Sequence, residues 1–223
     1  MGVGHVAVAL CAAKAAPRVN AGWLVFAALL ADFLLGIFAY LGLEHSTVPP
    51  DFASKHYLLF TFPYSHGLLA LLIWGALLGW LIAWPHRSIR RRIFTVIAAL
   101  VVSHFLLDGL VHVAGLPLAG ENSPKLGLGL WRNLPVELTF ETLMALVGAA
   151  IFWRVACNSA LSRYGVVVVT FIVLALTWTQ LVAVTPPPSQ ALIADWILFP
   201  LVVSGIVYGL DWKRVHGQPE STA

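Results

Sequence analysis

The fold is decided by one apolar stretch that also contains ionisable side chains: Ile93–Val113, with the sequence IFTVIAALVVSHFLLDGLVHV. About 20 apolar residues in a helix, at roughly 1.5 Å each, suffice to cross the hydrocarbon core of a bilayer. Three arginines, Arg90–Arg92, come directly before the stretch, and clustered basic residues mark the cytoplasmic end of a spanning helix. The stretch therefore predicts a transmembrane helix that holds His104, Asp108 and His112.

Similar apolar segments recur along the chain: Ala21–Leu43, Ser65–Trp84, Val136–Trp153, Tyr164–Val184 and Ala191–Leu210. A further apolar run, Gly2–Ala16, is too short to cross comfortably and predicts a re-entrant or interfacial helix. The sequence thus predicts an all-α, polytopic bundle of about six spanning helices. It forms a single domain over 1–223, with the site-bearing helices within 1–155 and two further helices within 160–212.

The composition and the placement of charge agree with a membrane protein. Hydrophobic residues make up 60% of the chain and charged residues only 10%, whereas roughly a quarter of an ordinary soluble domain is charged. Ten basic residues fall on one side of the predicted bundle and three, Lys55, Lys125 and Arg132, on the other. The positive-inside rule therefore places both flanks of the bundle in the cytoplasm. Because the arginines cluster at helix ends, the net charge of +3 does not indicate a nucleic-acid partner.

Ionisable side chains occur at one level inside this predicted bundle. Each carboxylate near the bilayer centre costs ~2.5–3.5 kcal/mol, so a buried acid needs a partner or a function. Counting from the basic end of each helix gives a depth of about 18–21 Å for four residues: His5, Asp32, His104 and Glu141. Asp108 comes about one turn further out, and His66 and His112 lie near the external surface. These depths predict a polar pocket that opens outward.

The mixture of imidazoles and carboxylates predicts a divalent metal ion as cofactor. Zinc is the first choice and manganese or iron also fit, whereas calcium prefers oxygen ligands alone. His104 and His112 lie about 12 Å apart along one helix face, so one ion could take Asp108 with either histidine but not with both. The predicted metal ligands are His5, Asp32, His66, His104, Asp108 and His112. Glu141, as a general base or further ligand, and His66 are the predicted catalytic residues.

Polar residues outside the predicted spans receive a simpler interpretation. Glu44, His45, Asp51 and His56 lie in an external loop, where ordinary solvated side chains are expected. Glu44 and Tyr64 nevertheless remain candidates for supporting contacts to the site.

Several short motifs carry the residues of the predicted site: Gly4-His5, Ala31-Asp32, Pro63–His66, Ser103–Asp108 with His112, Lys125–Trp131 and Glu141. Together they resemble the bacterial family of membrane-bound metal-dependent hydrolases called the YdjM-like proteins, and especially a multi-pass branch of it. The resemblance covers about the first two thirds of the chain. It departs from the family pattern at Ala31–Leu34, where a second acid is missing, and at Tyr64–Gly67, where a hydroxyl neighbour of the histidine is missing. The resemblance implies a histidine and aspartate metal site, hydrolase activity and a bacterial inner membrane.

Two functions from different classes follow from this pattern. The leading prediction is a metal-dependent hydrolase at the outer leaflet that acts on a lipid, a phosphoester or another small molecule. The alternative is a small transporter or proton-coupled permease in which the same groups relay protons or bind a cation. The small size and the lack of an inverted repeat or of obvious broken helices weigh against transport. A third interpretation is a non-catalytic assembly factor in which the metal only holds the bundle together.

Overall fold

The computed structural model describes residues 2–216 and is all-α, as predicted. Its helices are α1 (Gly2–Ala12), α2 (Ala21–Ala28), α3 (Leu30–Tyr40), α4 (Phe52–Lys55), α5 (Leu68–Ala83), α6 (Arg90–Val111), α7 (Leu134–Val155), α8 (Ala160–Trp178) and α9 (Ser189–His216). Two short antiparallel hairpins lie in the loops between helices. They pair β1 (His45–Thr47) with β2 (Leu59–Thr61), and β3 (Leu116–Pro117) with β4 (Lys125–Leu126).

Within residues 2–216, four helical segments are long and apolar enough to cross a membrane: Arg87–Val111, Leu130–Val155, Ala160–Val182 and Ser189–His216. The bent pair of α2 and α3 provides a fifth candidate. The predicted number of about six is therefore not confirmed. The predicted span that is missing from these candidates is α5. It has only 16 residues, because Gly67 is extended and the helix begins at Leu68. A helix of that length covers about 24 Å.

Apolar side chains cover the outer surface of the bundle. Exposed examples on α5, α8 and α9 are Leu72, Ile73, Val168, Ile172, Leu198 and Val202. Soluble monomers rarely expose large contiguous apolar areas, and such surfaces mark contact with a membrane or with another protein. The surface thus agrees with a lipid environment for these helices.

The N-terminal helix α1 lies in the interior of the bundle, in contact with α2, α6, α7 and α8. Val3, Val6 and Leu10 have no exposed surface. A Cβ atom on Gly148 would lie 2.6 Å from the carbonyl oxygen of Ala7, so a glycine is needed for α7 to approach α1 this closely. An interfacial helix would expose one face to water, and that predicted alternative is wrong. α1 is a buried helix of 11 residues.

A break at Leu29 separates α2 from α3 and bends the pair by 54°. Leu29 has φ −101° and ψ 7°, outside the helical range. The sequence around the break contains no proline or glycine. Instead, the ring of His104 inserts here and binds the carbonyl oxygen of Ala28, which is a recognised cause of helix kinks. The expectation that the chain lacks broken helices is therefore wrong.

A buried ion pair ties the end of α9 to the loop between α1 and α2. Arg214 and Asp211 approach to 2.6 Å, and both side chains are buried. The guanidinium group of Arg214 also donates to the carbonyl oxygen of Val19 at 2.9 Å. The carboxylate of Asp211 accepts a hydrogen bond from the backbone N–H of Ala21 at 2.8 Å. This pair fixes the loop at the basic end of the bundle.

Candidate metal centre

Two histidines face each other inside the bundle. The Nε2 atoms of His66, in the loop before α5, and His104, on α6, lie 3.2 Å apart. Both residues are at most 2% exposed. A hydrogen bond between two imidazole nitrogens needs a proton on one of them, so the tautomers of the two rings decide what this contact means.

The backbone fixes the tautomer of His104. Its Nδ1 atom lies 2.8 Å from the carbonyl oxygen of Ala28, which accepts hydrogen bonds and cannot donate one. Nδ1 therefore carries the hydrogen, and Nε2 of the neutral ring presents a lone pair. Histidines that bind metals use this arrangement, in which the second ring nitrogen donates to a carbonyl or carboxylate oxygen.

Hydrogen bonds that link Glu44, Ser65 and His66 also place the hydrogen of the His66 ring on Nδ1. The hydroxyl group of Ser65 donates to Oε2 of Glu44 at 2.6 Å and lies 2.8 Å from Nδ1 of His66. With Glu44 ionised, the Ser65 hydrogen is committed to the carboxylate, so the Ser65 oxygen accepts a hydrogen from Nδ1. The Nε2 atom of His66 then presents a lone pair toward His104.

Glu44 is held by the segment that carries His66. Its Oε1 atom accepts hydrogen bonds from the backbone N–H groups of Tyr64 and Ser65 at 2.7 and 2.9 Å. Burial raises the pKa of Glu44 above its ordinary value, and the hydrogen bonds from Ser65 and Tyr64 oppose that rise. The prediction of a solvated Glu44 is wrong, because the loop and the β1–β2 hairpin fold it against Ser65 and leave it 1% exposed.

Two carboxylates converge on the same point. Oδ1 of Asp32, in the first turn of α3, lies 3.6 Å from Nε2 of His66 and 3.8 Å from Nε2 of His104. Oδ2 of Asp108, one turn after His104, lies 3.6 and 3.3 Å from the same two atoms. Four ligands in a tetrahedron, each about 2.0–2.1 Å from an ion, lie roughly 3.4 Å from one another. The separation of the two Nε2 atoms, and those from each Nε2 atom to the two carboxylate oxygens, are therefore close to those of a tetrahedral site.

His5 and His112 flank the cluster on either side of Asp108. Nε2 of His5 lies 3.2 Å from Oδ1 of Asp108, and the His5 ring stacks on His104 with centroids 3.7 Å apart. Nε2 of His112 lies 3.2 Å from Oδ2 of Asp108. Buried histidine and aspartate groups here could hold a metal ion, in two overlapping sets: His5, His104 and Asp108, or Asp32, His66 and His104. His104 belongs to both sets.

The glycine-rich segment after β4 covers His112. The ring of Trp131 packs on the His112 ring with centroids 3.9 Å apart. The backbone of Gly127 adopts φ 154°, and a Cβ atom there would lie 2.5 Å from the His112 carbonyl oxygen. Only glycine combines this conformation with this close approach. The segment thus closes the C-terminal end of α6.

Glu141 binds α1 in this structure. Its Oε2 atom accepts a hydrogen bond from the backbone N–H of Gly4 at 2.8 Å. The first N–H groups of a helix have no partner within the helix and form the positive end of its dipole, so a carboxylate stabilises them. Glu137, one turn away, is also buried. Glu141 therefore helps to hold α1, and with it His5, while its role as a general base stays a prediction.

The remaining predicted loop residues lie away from these contacts. His45 and Asp51 are exposed, as expected for solvated side chains. His56 is half-buried, and its Nδ1 atom lies 2.8 Å from the carbonyl oxygen of Ala183. Ser65 was not among the predicted site residues. Its position directly before His66 is the only local signal for its role.

No family model, curated protein or solved structure matches this chain. The resemblance to the YdjM-like proteins stays a prediction that rests on short motifs. The function must therefore be inferred from the chemistry of the cluster itself.

Proposed function

We propose that Asp32, His66, His104 and Asp108 bind a divalent metal ion, zinc in the first place and manganese or iron as alternatives. The observation that carries this proposal is the 3.2 Å between the Nε2 atoms of His66 and His104, since the Nδ1 atom of each ring donates elsewhere. Two lone pairs at this distance repel each other unless a cation or a proton lies between them. Two carboxylates offset the charge of a divalent ion, which lowers the cost of burying it.

The reaction that we propose is hydrolysis. A divalent ion held by these four side chains would bind a water molecule as a fifth ligand and would lower its pKa to about 7, which would supply a nucleophile. The side chain of Asp32 is 27% exposed, whereas those of His66, His104 and Asp108 are at most 2% exposed. Substrate would therefore reach the cluster past Asp32, and the carboxylate oxygen of Asp32 that does not bind the ion would accept a proton from water.

The proposed substrate is a lipid, a phosphoester or another small molecule that partitions into the membrane. The cluster lies between apolar helices, so such a molecule would reach Asp32 without first entering water.

The proposed topology places the cluster within the bilayer. We propose that α5 crosses with the four long helices and the α2–α3 pair, which gives six crossings with α1 re-entrant. Exposed apolar residues along α5, such as Leu72 and Leu77, support a lipid-facing position. An even number of crossings returns the chain to one side, in line with basic flanks in the cytoplasm of a bacterial inner membrane.

Hydrolysis is tested by turnover of metal-loaded protein in micelles with fluorogenic carboxylester, phosphomonoester and phosphodiester substrates. We expect turnover of at least one class, and a loss of about 100-fold or more in Asp32→Asn, because general base catalysis contributes at least that much. His45→Ala, an exposed histidine on β1, serves as the control and should match the wild type. Metal-loaded protein that cleaves none of the three classes contradicts hydrolysis.

A transporter or proton-coupled permease is the second candidate, and the break at Leu29 favours it. The first turns of two short helices, α1 and α3, carry the side chains of His5 and Asp32 that reach the cluster. Transporters bind substrates at the ends of such interrupted helices near the membrane midplane. Proton flux into liposomes that disappears in Asp32→Asn, with no turnover of any ester, would favour this candidate over the hydrolase.

The Glu44–Ser65–His66 chain should raise the affinity for metal. Ser65→Ala removes the oxygen that accepts a hydrogen bond from Nδ1 of His66, so the ring is no longer held in its tautomer and orientation. Loss of such a contact lowers metal affinity roughly 10- to 100-fold, which competition with a chromophoric chelator measures. Ser54→Ala removes an exposed hydroxyl that bonds the Asp51 carbonyl and is the control. Equal affinity in both variants would show that Ser65 does not position His66.

A further inference from the structure

A polar cavity lies at the basic end of the bundle. It is lined by Arg92, about 18 Å along α6 from His104, and has a volume of about 400 Å³. Its polar lining consists of Arg18, Arg92, Arg214 and Asn158, and apolar residues such as Val155 complete its walls. None of these residues takes part in the candidate metal centre.

The three arginines of this cavity differ in their partners. Arg214 is buried and paired with Asp211, so its charge is offset. Arg92 donates from Nε to the carbonyl oxygen of Ala15 at 2.6 Å, a bond that orients its guanidinium group but leaves its charge uncompensated. Within residues 2–216, neither Arg18 nor Arg92 forms an ion pair with a carboxylate, whereas exposed Lys55 and Lys125 both do. The cavity thus carries two positive charges without a counterion from the described chain.

The position of the cavity corresponds to the level of lipid headgroups. α1 and α7 end there, α2 and α6 begin there, and α9 reaches it with Arg214. Basic pockets between transmembrane helices at this level bind anionic headgroups. A guanidinium group matches a phosphate in geometry, with two parallel N–H donors for two oxygens. The apolar walls suit the glycerol and the first methylene groups of a lipid.

We propose that this cavity binds a phosphate group through Arg18 and Arg92, and that the phosphate belongs to the headgroup of an anionic lipid. A soluble phosphate monoester has the same recognition chemistry and is the other source. The ligand would lie against the loop between α1 and α2, because Ala16–Val19 form one wall of the cavity. Binding should therefore stabilise the loop that leads into α1.

The experiment measures the thermal unfolding midpoint of full-length protein in a neutral detergent during titration with dihexanoyl phosphatidylglycerol. Dihexanoyl phosphatidylcholine and glycerol 3-phosphate are titrated in parallel. We expect saturable stabilisation by phosphatidylglycerol, with an affinity roughly 30-fold lower in R18Q/R92Q, since each arginine near an anionic headgroup contributes about a fivefold factor. R87Q/R91Q removes the same charge from exposed positions outside the cavity and should keep the wild-type affinity.

The two double variants and the three ligands distinguish the possible results. Equal affinities of R18Q/R92Q and R87Q/R91Q would overturn it, because a general effect of surface charge predicts that result. Stabilisation by phosphatidylcholine equal to that by phosphatidylglycerol would also overturn it, because the headgroup charge would then not matter. Stabilisation by glycerol 3-phosphate with the same dependence on Arg18 and Arg92 supports the site and assigns the phosphate to a soluble ligand. Unfolding midpoints without ligand show whether either double variant is misfolded.

Discussion

His104→Ala should purify without stoichiometric metal, with an affinity for zinc lowered by more than about 100-fold, because even the loss of contacts around a ligand costs roughly 10- to 100-fold. His104 has the largest expected effect since it belongs to both sets of buried groups that could hold an ion. Its Nε2 atom lies within 3.8 Å of Asp32, His66 and Asp108. Metal per protein is measured by mass spectrometry after gentle purification, and affinity by competition with a chelator.

Two other histidine variants sharpen this test. His45→Ala changes an exposed histidine on β1 and should retain the wild-type metal content. His112→Ala removes a ring that contacts Asp108 but lies outside the four proposed ligands, so its effect should be smaller than that of His104→Ala. Wild-type metal content in His104→Ala, or no stoichiometric metal in the wild-type protein, contradicts the proposed centre.

Asp211→Ala should lower the free energy of unfolding by about 3–5 kcal/mol, the usual cost of removing one partner of a buried ion pair. Asp211 has no exposed surface and accepts hydrogen bonds from Nε and Nη2 of Arg214 at 2.7 and 2.6 Å. It also accepts hydrogen bonds from the hydroxyl group of Ser162 and the backbone N–H of Ala21. The variant leaves a buried guanidinium without its counterion. Equilibrium unfolding in mixed micelles measures the change.

A double replacement separates the ion pair from the packing around it. Asp211→Leu with Arg214→Met removes both charges, and apolar replacement of a buried pair is often close to neutral. We expect the double variant to be more stable than Asp211→Ala, although the carbonyl groups of Pro17 and Val19 lose their donor. Asp51→Ala breaks an exposed pair with Lys55 and should leave unfolding unchanged. A wild-type stability of Asp211→Ala contradicts the role given to this pair.

The two ends of α1 are thus held by different interactions. Glu141 binds the backbone at its start, and the loop after its end is bound by Arg92 and by Arg214. A helix of 11 residues is too short to be stable alone in water. These contacts, together with close packing at Gly148, place His5 beside His104 and Asp108. The proposed anion cavity includes the same loop.

The sequence by itself determined the class of fold and singled out most of the ionisable side chains that meet inside the bundle. Apolar stretches of about 20 residues are helical in a bilayer because their backbone groups must bond internally. The spacing of His104, Asp108 and His112 places them on one helix face, and the structure shows Asp108 in contact with both histidines. The high cost of a buried acid singled out Asp32 and Asp108 before any contact was known.

Only the tertiary structure decided which groups meet and how they are held. Glu44 and Ser65 are 21 residues apart in the chain, and nothing local predicts that a hairpin folds one against the other. No proline or glycine marks the break at Leu29, where the carbonyl oxygen of Ala28 contacts His104, a residue of another helix. Glu141 binds Gly4 because α7 packs closely on α1. Composition and periodicity predict the helices, whereas contacts between segments depend on packing and on backbone groups that every residue shares. The depth count was wrong for His66, which was predicted near the external surface and lies 3.2 Å from His104.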